Sequence, residues 1–481
     1  MYTKKKMPKY ITKLSTKLNK IVSQHPEFTT DGCILLCGVC CKSISYDGTH
    51  GADRLRSHIA SSKHQNNKLL HAKTKQVTIL EGMTAATTSQ KIVDTFSRDL
   101  TVFFVEANIP IYKVNHPSAK LFFSKYIKHH IPDESTLRKY YVKAIFEECI
   151  ANIKADIGEE DIFIVVDEST DAEKRYIFNI LIGKLNGEFH KPKLICSKSL
   201  EEVNSVSVCQ IINDTMRIIW SDQIHYERLK LVVSDQAAYM VKAMKSLKCM
   251  YPHLSHVTCL AHALHRVSEK IREDHDETNR LVSSITNILS KSPYRRQLYK
   301  TTTGLCLPPD VVITRWGTWL TCCFYLKKNL SAVKSFIGLL EGETKSRSIA
   351  TAKKIIESNK VEDELIYINR FNCIVEGIKN LEALGLTLKE QVNIVNQIKS
   401  KLSGNPAAKL KSSLSKNPDF VSFTNPLVSY EDRCKRQYAP LVSVDVERSF
   451  SRHKNILQDN RRCLTVQNLE MLTILNYNSI C

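Results

Sequence analysis

The feature that most constrains this chain is a change of apolar pattern near residue 161. DIFIVVDEST is a short, continuous apolar run that ends in acids. RYIFNILIGKL and KPKLICSKSL follow as two further β-rich runs. Helical spacing covers Ser205 to Ile219. LKLVVSD is then a fourth strand, the helical AAYMVKAMKSL follows it, and HVTCLA opens into the helix ALHRVSEKI. Runs that are apolar without alternation suit strands covered on both faces. The expected class is therefore α/β, with three successive strands followed by helix–strand–helix–strand–helix. Asp167 and Asp235 fall at the ends of two of these runs.

The flanks read differently. Apolar positions from Ser89 to Val105 have helical spacing, and ANIPIYKVNHP looks like an irregular connector. Phe122 to Ile127 and Glu134 to Ile153 read as helices, the second with a capped start at Asp133. Residues 321–430 are mostly helical, as in FNCIVEGIKNLEALG and KEQVNIVNQIKSKL, while SGNPAAKLKSSLSKNPDF reads as a polar loop. At 481 residues the chain exceeds one ordinary core, and two to four domains are expected. No apolar stretch approaches the ~18–20 residues that span a bilayer, so no membrane partner is expected.

Residues 33–64 contain Cys37-x2-Cys40 and, seventeen residues later, His58-x5-His64. Two cysteines around a two-residue gap form a knuckle, and two histidines near a helix end can face it, giving a Cys2His2 zinc site. Leu55 and Ile59 would lie on the buried face of a helix from about Ala52 to Ser62. Cys33 and Cys41 are spare donors, Cys41 being the nearer substitute for Cys40. The segment resembles a BED-type finger. Sixty-nine cations against forty-nine anions give a net charge of +20, which favours a polyanionic partner. Around the finger, Lys42, Arg54, Arg56, Lys63 and Lys68 point to DNA. The first twenty residues hold seven lysines and no acid, as a solvated tail, an import signal or a DNA-contacting arm would. With no secretory signal, most of the sixteen cysteines are expected to be reduced.

Five motifs, in order, carry a wider resemblance: VVDESTD at Asp167, VVSDQAAYM at Asp235, CLAH at Cys259–His262, TRWGTW at Thr314–Trp319, and ERSFS at Glu447–Ser451, followed by NRRCLTVQNLEMLTILNYN. Together they resemble the hAT transposase superfamily, including its domesticated relatives that carry zinc fingers. The resemblance implies a ribonuclease-H-like catalytic domain, interrupted by an all-helical insertion and preceded by the finger and a helical region. The order of strands and helices read from pattern alone is the same. The implied divisions are a basic tail at 1–28, the finger at 29–68, a linker at 69–88, and a helical region at 89–155. The first ribonuclease-H-like part spans 156–324, the insertion 325–435, and the last helices with a dimerisation region 436–481.

By resemblance, Asp167, Asp235 and Glu447 bind Mg²⁺ or Mn²⁺ for strand cleavage and transesterification at element ends and target DNA, in the nucleus. Singly, each acid could instead be a turn residue or a solvated helix face. Glu168, Asp171 and Asp445 compete with them, although Asp445 and Glu447 point to opposite sides of a helix. Arg315 and Trp316 could contact a phosphate and stack on an unpaired base, or Trp316 could be core. Cys259 and His262 could be structural or support the site. A second zinc site there is disfavoured, though His253, His256 and His265 lie near. Leu464, Leu469, Leu472 and Leu475 form an apolar face, for homo-oligomerisation or for ordinary core. The rival to the enzyme is a domesticated, catalytically silent protein that binds DNA and regulates transcription or chromatin.

Overall fold

The computed structural model describes residues 14–30, 35–37, 40, 42–46, 50–73, 94–220, 225–312, 316–340, 346–425, 427, 429–458, 461 and 464–478. Cys33, Cys41, Arg315, most of the expected linker and the first thirteen residues lie outside them. The chain divides into two compact units, residues 1–94 and 95–481.

In the first unit, α1 (Leu14–Gln24) replaces part of the expected solvated tail. Leu18 and Ile21 are buried and pack with Phe28 of β1 (Phe28–Thr30). β1, β2 (Leu35–Cys37) and β3 (Lys42–Ile44) form an antiparallel sheet in that order. Two helices follow, α2 (Gly51–Ala60) and α3 (Ser62–Lys73), where one was expected. The break at Ser61 has a geometric reason. His58 and His64 are six residues apart, so on one continuous helix they would diverge by about 120°. Ser61 is extended instead, and its Oγ accepts from the His64 N–H at 3.3 Å, capping α3 and turning His64 toward His58.

The second unit begins with α4 (Thr95–Glu106); residues 89–93 of the expected helix lie outside the described residues. The connector after it contains a 3-10 turn, Ile111–Asn115, and leads into α5 (Pro117–Tyr126), which starts earlier than expected because Pro117 suits a first helical position. A short helix at Glu134–Thr136 and a π turn at Leu137–Val142 lead into α6 (Lys143–Ile157).

The sheet follows. β4 (Ile162–Thr170), β5 (Tyr176–Lys184) and β6 (Lys193–Leu200) are antiparallel neighbours. α7 (Ser205–Trp220) leads to β7 (Leu229–Ser234), α8 (Ala238–Leu247) to β8 (Ser255–Thr258), and β8 to α9 (Leu260–Asp274). β7 lies parallel to β4 and β8 parallel to β7, giving the order β6-β5-β4-β7-β8. The expected succession of elements is present, in a mixed five-stranded sheet. Central β4 is buried from Ile162 to Asp167 on both faces, which is why its sequence does not alternate. Gly183 pairs with Phe163, whose ring occupies the space a Cβ would need.

Helices fill most of residues 318–435. The expected polar loop there is α10 (Gly404–Ser415): Pro406 and Leu410 are buried, Ala407 and Leu414 pack beside them, and Pro406 sits in the first turn, where no backbone hydrogen bond is lost. The chain returns to the sheet as α11 (Val444–Ile456), which packs on β4 and β5, and α12 (Val466–Asn478), which packs on β6. Leu469, Leu472 and Leu475 are buried in this packing, so that face is spent on the chain's own core.

Both sheet edges are closed by an asparagine side chain. On β8, Asn417 Oδ1 accepts from Thr258 N at 2.9 Å and its Nδ2 donates to Thr258 O at 2.8 Å. On β6, Asn478 does the same to Leu194, at 2.8 Å in each direction. Each amide imitates a neighbouring strand and satisfies an edge that would otherwise pair with another chain.

Candidate metal sites

Among the described residues there are two groups whose donor atoms lie, within each group, no more than 4.8 Å apart: Cys37, Cys40, His58 and His64 in the first unit, and Asp167, His262 and Glu447 in the second.

The first is closed. His64 Nδ1 lies 3.5 Å from Cys37 Sγ and 3.5 Å from Cys40 Sγ. Metal–sulfur bonds of about 2.3 Å and metal–nitrogen bonds of about 2.0–2.1 Å make a tetrahedral S···N edge of about 3.5 Å. The spacing therefore fits a single ion with four ligands. Glu27 Oε1 lies 3.9 Å from His64 Nε2 and accepts from Lys68 Nζ at 3.0 Å. At that distance the carboxylate is an ionic neighbour of the imidazole, not a hydrogen-bond partner. Phe28 stacks on His64 at 6.1 Å and covers one side. Arg54, Arg56, Lys63 and Lys68 are exposed.

The second cluster is built by the sheet. β4 carries Asp167 to its C-terminal part, and cross-strand Asn179 of β5 stands opposite it. Asp167 Oδ1 accepts from the Glu168 N–H at 2.8 Å, while its buried Oδ2 has no hydrogen-bond partner among the described residues. Asn179 Nδ2 donates to Ser449 Oγ at 2.7 Å, tying β5 to α11, and α11 brings Glu447 in from the far end of the chain. His262 enters from the first turn of α9. Cys259, one residue before that helix, accepts from the Ser443 N–H at 3.2 Å, and Ser443 Oγ lies 3.3 Å from His262 Nδ1.

The electrostatics follow from burial. Burial raises the Asp167 carboxyl well above its usual range, and the charges of Glu447 and Asp235 add to it, against His262. Glu447 is raised by burial and by Asp235, again against His262. Burial would lower His262, but Cys259, Asp167 and Glu447 push it up to about 9. Burial would raise the Cys259 thiol, but His262 and the Ser443 hydrogen bond pull it down. Without an ion, the His262 imidazolium opposes the burial of the two acids. A carboxylate oxygen without a partner among the described residues, beside a second carboxylate, is a donor pair that a divalent cation fits, and such an ion would take over the charge role of the imidazolium.

Asp235 stands just past β7, outside the tight group. Its Oδ1 accepts from Ala237 N at 3.1 Å, which holds it at the entrance of α8, though its charge is felt by both clustered acids. The competing acids have other partners. Glu168 accepts from Tyr239 OH at 2.8 Å, Asp171 binds Arg175, and Asp445 binds Arg448 at 2.7 Å. Trp316 is half-buried and meets His262 edge-on, ring centroids 4.9 Å apart; Gly317, at φ 68°, makes the left-handed turn that follows it. His256 is buried against Ser234 Oγ at 2.9 Å.

Ser443, Asn179 and Tyr239 did not stand out in the sequence. Asn179 left a signal, a polar residue inside the apolar run YIFNILIG, where burial demands a partner. Ser443 and Tyr239 left none.

Residues 132–292 match a domain of unknown function (DUF659). The match takes in Asp167, Asp235, Cys259 and His262 and stops before Trp316 and Glu447. The chain is also similar to CGG triplet repeat-binding protein 1 of Homo sapiens, with 24% identity over 135 residues, 27% of this chain and 81% of that protein. No helix among the described residues is long and apolar enough to cross a membrane.

Proposed function

We propose that this chain is a DNA-binding protein of the hAT transposase type, with a zinc-holding BED-like finger and a ribonuclease-H-like unit that cuts and rejoins DNA strands. The observation that carries this reading is the convergence of Asp167 and Glu447, remote in sequence, around an unpartnered carboxylate oxygen. The strand order, the DUF659 match, a domain found in hAT transposase-like proteins, and the similarity to a protein named for binding CGG repeats all support it. DNA in the nucleus is the partner this reading requires.

Asp167 and Glu447 would hold Mg²⁺ or Mn²⁺, with Asp235 completing the set if its carboxylate swings from the Ala237 N–H. A bound divalent ion supplies an activated water or 3′-hydroxyl and stabilises a leaving oxygen. The chain's own residues prepare that chemistry. Asn179 and Ser449 lock α11 to β5 and so fix where Glu447 enters. His262, held by Cys259 and Ser443, offsets part of the burial that raises both carboxyls. Trp316 covers the imidazole edge and limits water there. Arg315, outside the described residues, remains the proposed phosphate contact.

A second reading, DNA binding without cleavage, is favoured by one observation: Asp235 is engaged by Ala237 rather than gathered with the other donors. The two are separated by an excision assay on a reporter carrying the gene's own flanking inverted repeats, with Mn²⁺ present. Cleavage by the wild type, lost in Asp167→Ala and Glu447→Ala, supports the enzyme. Equal inertness of all three leaves the binding reading.

A further inference from the structure

A second surface of the 95–481 unit has the composition of a nucleic-acid contact and belongs neither to the finger nor to the acids. α5 buries no residue: Leu121, Phe122 and Tyr126 are 71%, 56% and 63% exposed. Phe122 and Tyr126 lie with ring centroids 5.1 Å apart. Residues 111–130, which contain α5 and the 3-10 turn before it, hold four lysines, three histidines and no acid. Lys125 Nζ stands 4.9 Å from the Tyr126 ring centre, and Lys113 Nζ 5.2 Å from that of Tyr112.

Tyr112 also lines a cavity of about 150 Å³. Its walls are mostly apolar, among them Phe104, Ile109, Ile111 and Leu472, with Arg461 and the Glu134–Arg138 ion pair also lining it. Arg461 is clamped on Asn108 by both terminal nitrogens, one of them 2.6 Å from Oδ1, and its buried Nε has no partner among the described residues. A cavity of this size admits one aromatic ring. A planar ring seated among these walls would lie beside the Arg461 guanidinium.

We infer that α5, the preceding turn and this cavity bind an unpaired nucleic-acid strand, with aromatic rings stacking on bases and one base seated beside Arg461. Exposed rings interleaved with lysines are the platform such strands use. A symmetric second copy is the poorer occupant, because a self-complementary interface would set this acid-free, lysine-rich patch against itself. The inference does not depend on strand cleavage.

The test is fluorescence anisotropy of the full-length protein with a labelled oligothymidine and with an abasic strand of the same length. Tyr112→Ala, Phe122→Ala and Tyr126→Ala each weaken oligothymidine binding by roughly fivefold to a hundredfold. Arg461→Gln narrows the preference for oligothymidine over the abasic strand. Cys37→Ser, which breaks the finger, leaves this binding within about twofold, so a failure of the finger reading stays separate. Wild-type affinity in all three aromatic variants overturns the inference. So does a sedimentation result in which Phe122→Ala lowers the oligomeric state at unchanged strand affinity, because that assigns the face to a second copy.

Discussion

The two donor clusters differ in how they are finished. In the finger, four donors close on one point at the spacing of a tetrahedral ion, and a carboxylate stands 3.9 Å behind one imidazole. In the sheet unit the group has three residues, a fourth acid stands just outside it, and a carboxylate oxygen is buried without a partner among the described residues. Closed sets serve structure, and open ones serve chemistry. The cost falls differently too. Ligands of a closed site stabilise the fold when the ion is present. Buried acids of an open site destabilise the fold when it is absent.

The largest effect that could break this contrast is metal removal from the finger. Chelation, or Cys37→Ala, should unfold residues 14–73, because binding a structural ion of this kind contributes on the order of 10 kcal/mol. Limited proteolysis should then cut the first unit while the second keeps its cooperative melting transition. Loss of both together would contradict two separately held units.

Acid should strain the second unit through His256, independently of any ion. Burial lowers this imidazole from 6.5 to about 4, against the pull of Asp419. Its folded pKa lies below the unfolded value, so the stability is complete above pH 6.5 and is lost as pH falls toward 4. The loss approaches about 3 kcal/mol at most. Denaturant unfolding at pH 7 and pH 4.5 measures it, and His256→Gln should flatten the difference.

The sheet edges give a smaller effect. Asn417→Ala or Asn478→Ala leaves a buried N–H and C=O unpaired, at about 1–3 kcal/mol each. Hydrogen exchange at Thr258 or Leu194 should accelerate accordingly. Smallest is Ser61→Ala, which removes the cap between the two finger helices and costs about 1 kcal/mol of first-unit stability. A finger that melts unchanged would mean that the ion alone sets the bend.

Much of this was legible in the sequence where chemistry forces residues close together. Cys37, Cys40, His58 and His64 stand out because one small ion demands short, regular spacings. The five strands stand out because burial on both faces erases polar alternation. α10 was hidden because its buried stripe is short and its exposed lysines and serines dominate the composition. The break at Ser61 was hidden because a helix pattern records which face is apolar, not where the axis bends. Asp167 looked like any strand-end acid until packing left its Oδ2 orphaned. Glu447 reached it through α11, a long-range placement suggested only by the family resemblance. The turn of Asp235 toward Ala237 is a local hydrogen bond that no spacing records.

One measurement bears most directly on the open site: thermal unfolding of the second unit's transition in full-length protein, with and without Mn²⁺, for wild type and Asp167→Asn. The wild type should gain stability from Mn²⁺. Asp167→Asn should melt higher than wild type without the ion, because it removes a carboxyl whose folded pKa is raised and which therefore costs stability above its unfolded pKa. It should also lose the response to Mn²⁺. An Asp167→Asn protein that is less stable without the ion, or that still responds to Mn²⁺ like the wild type, would contradict an ion site built on Asp167.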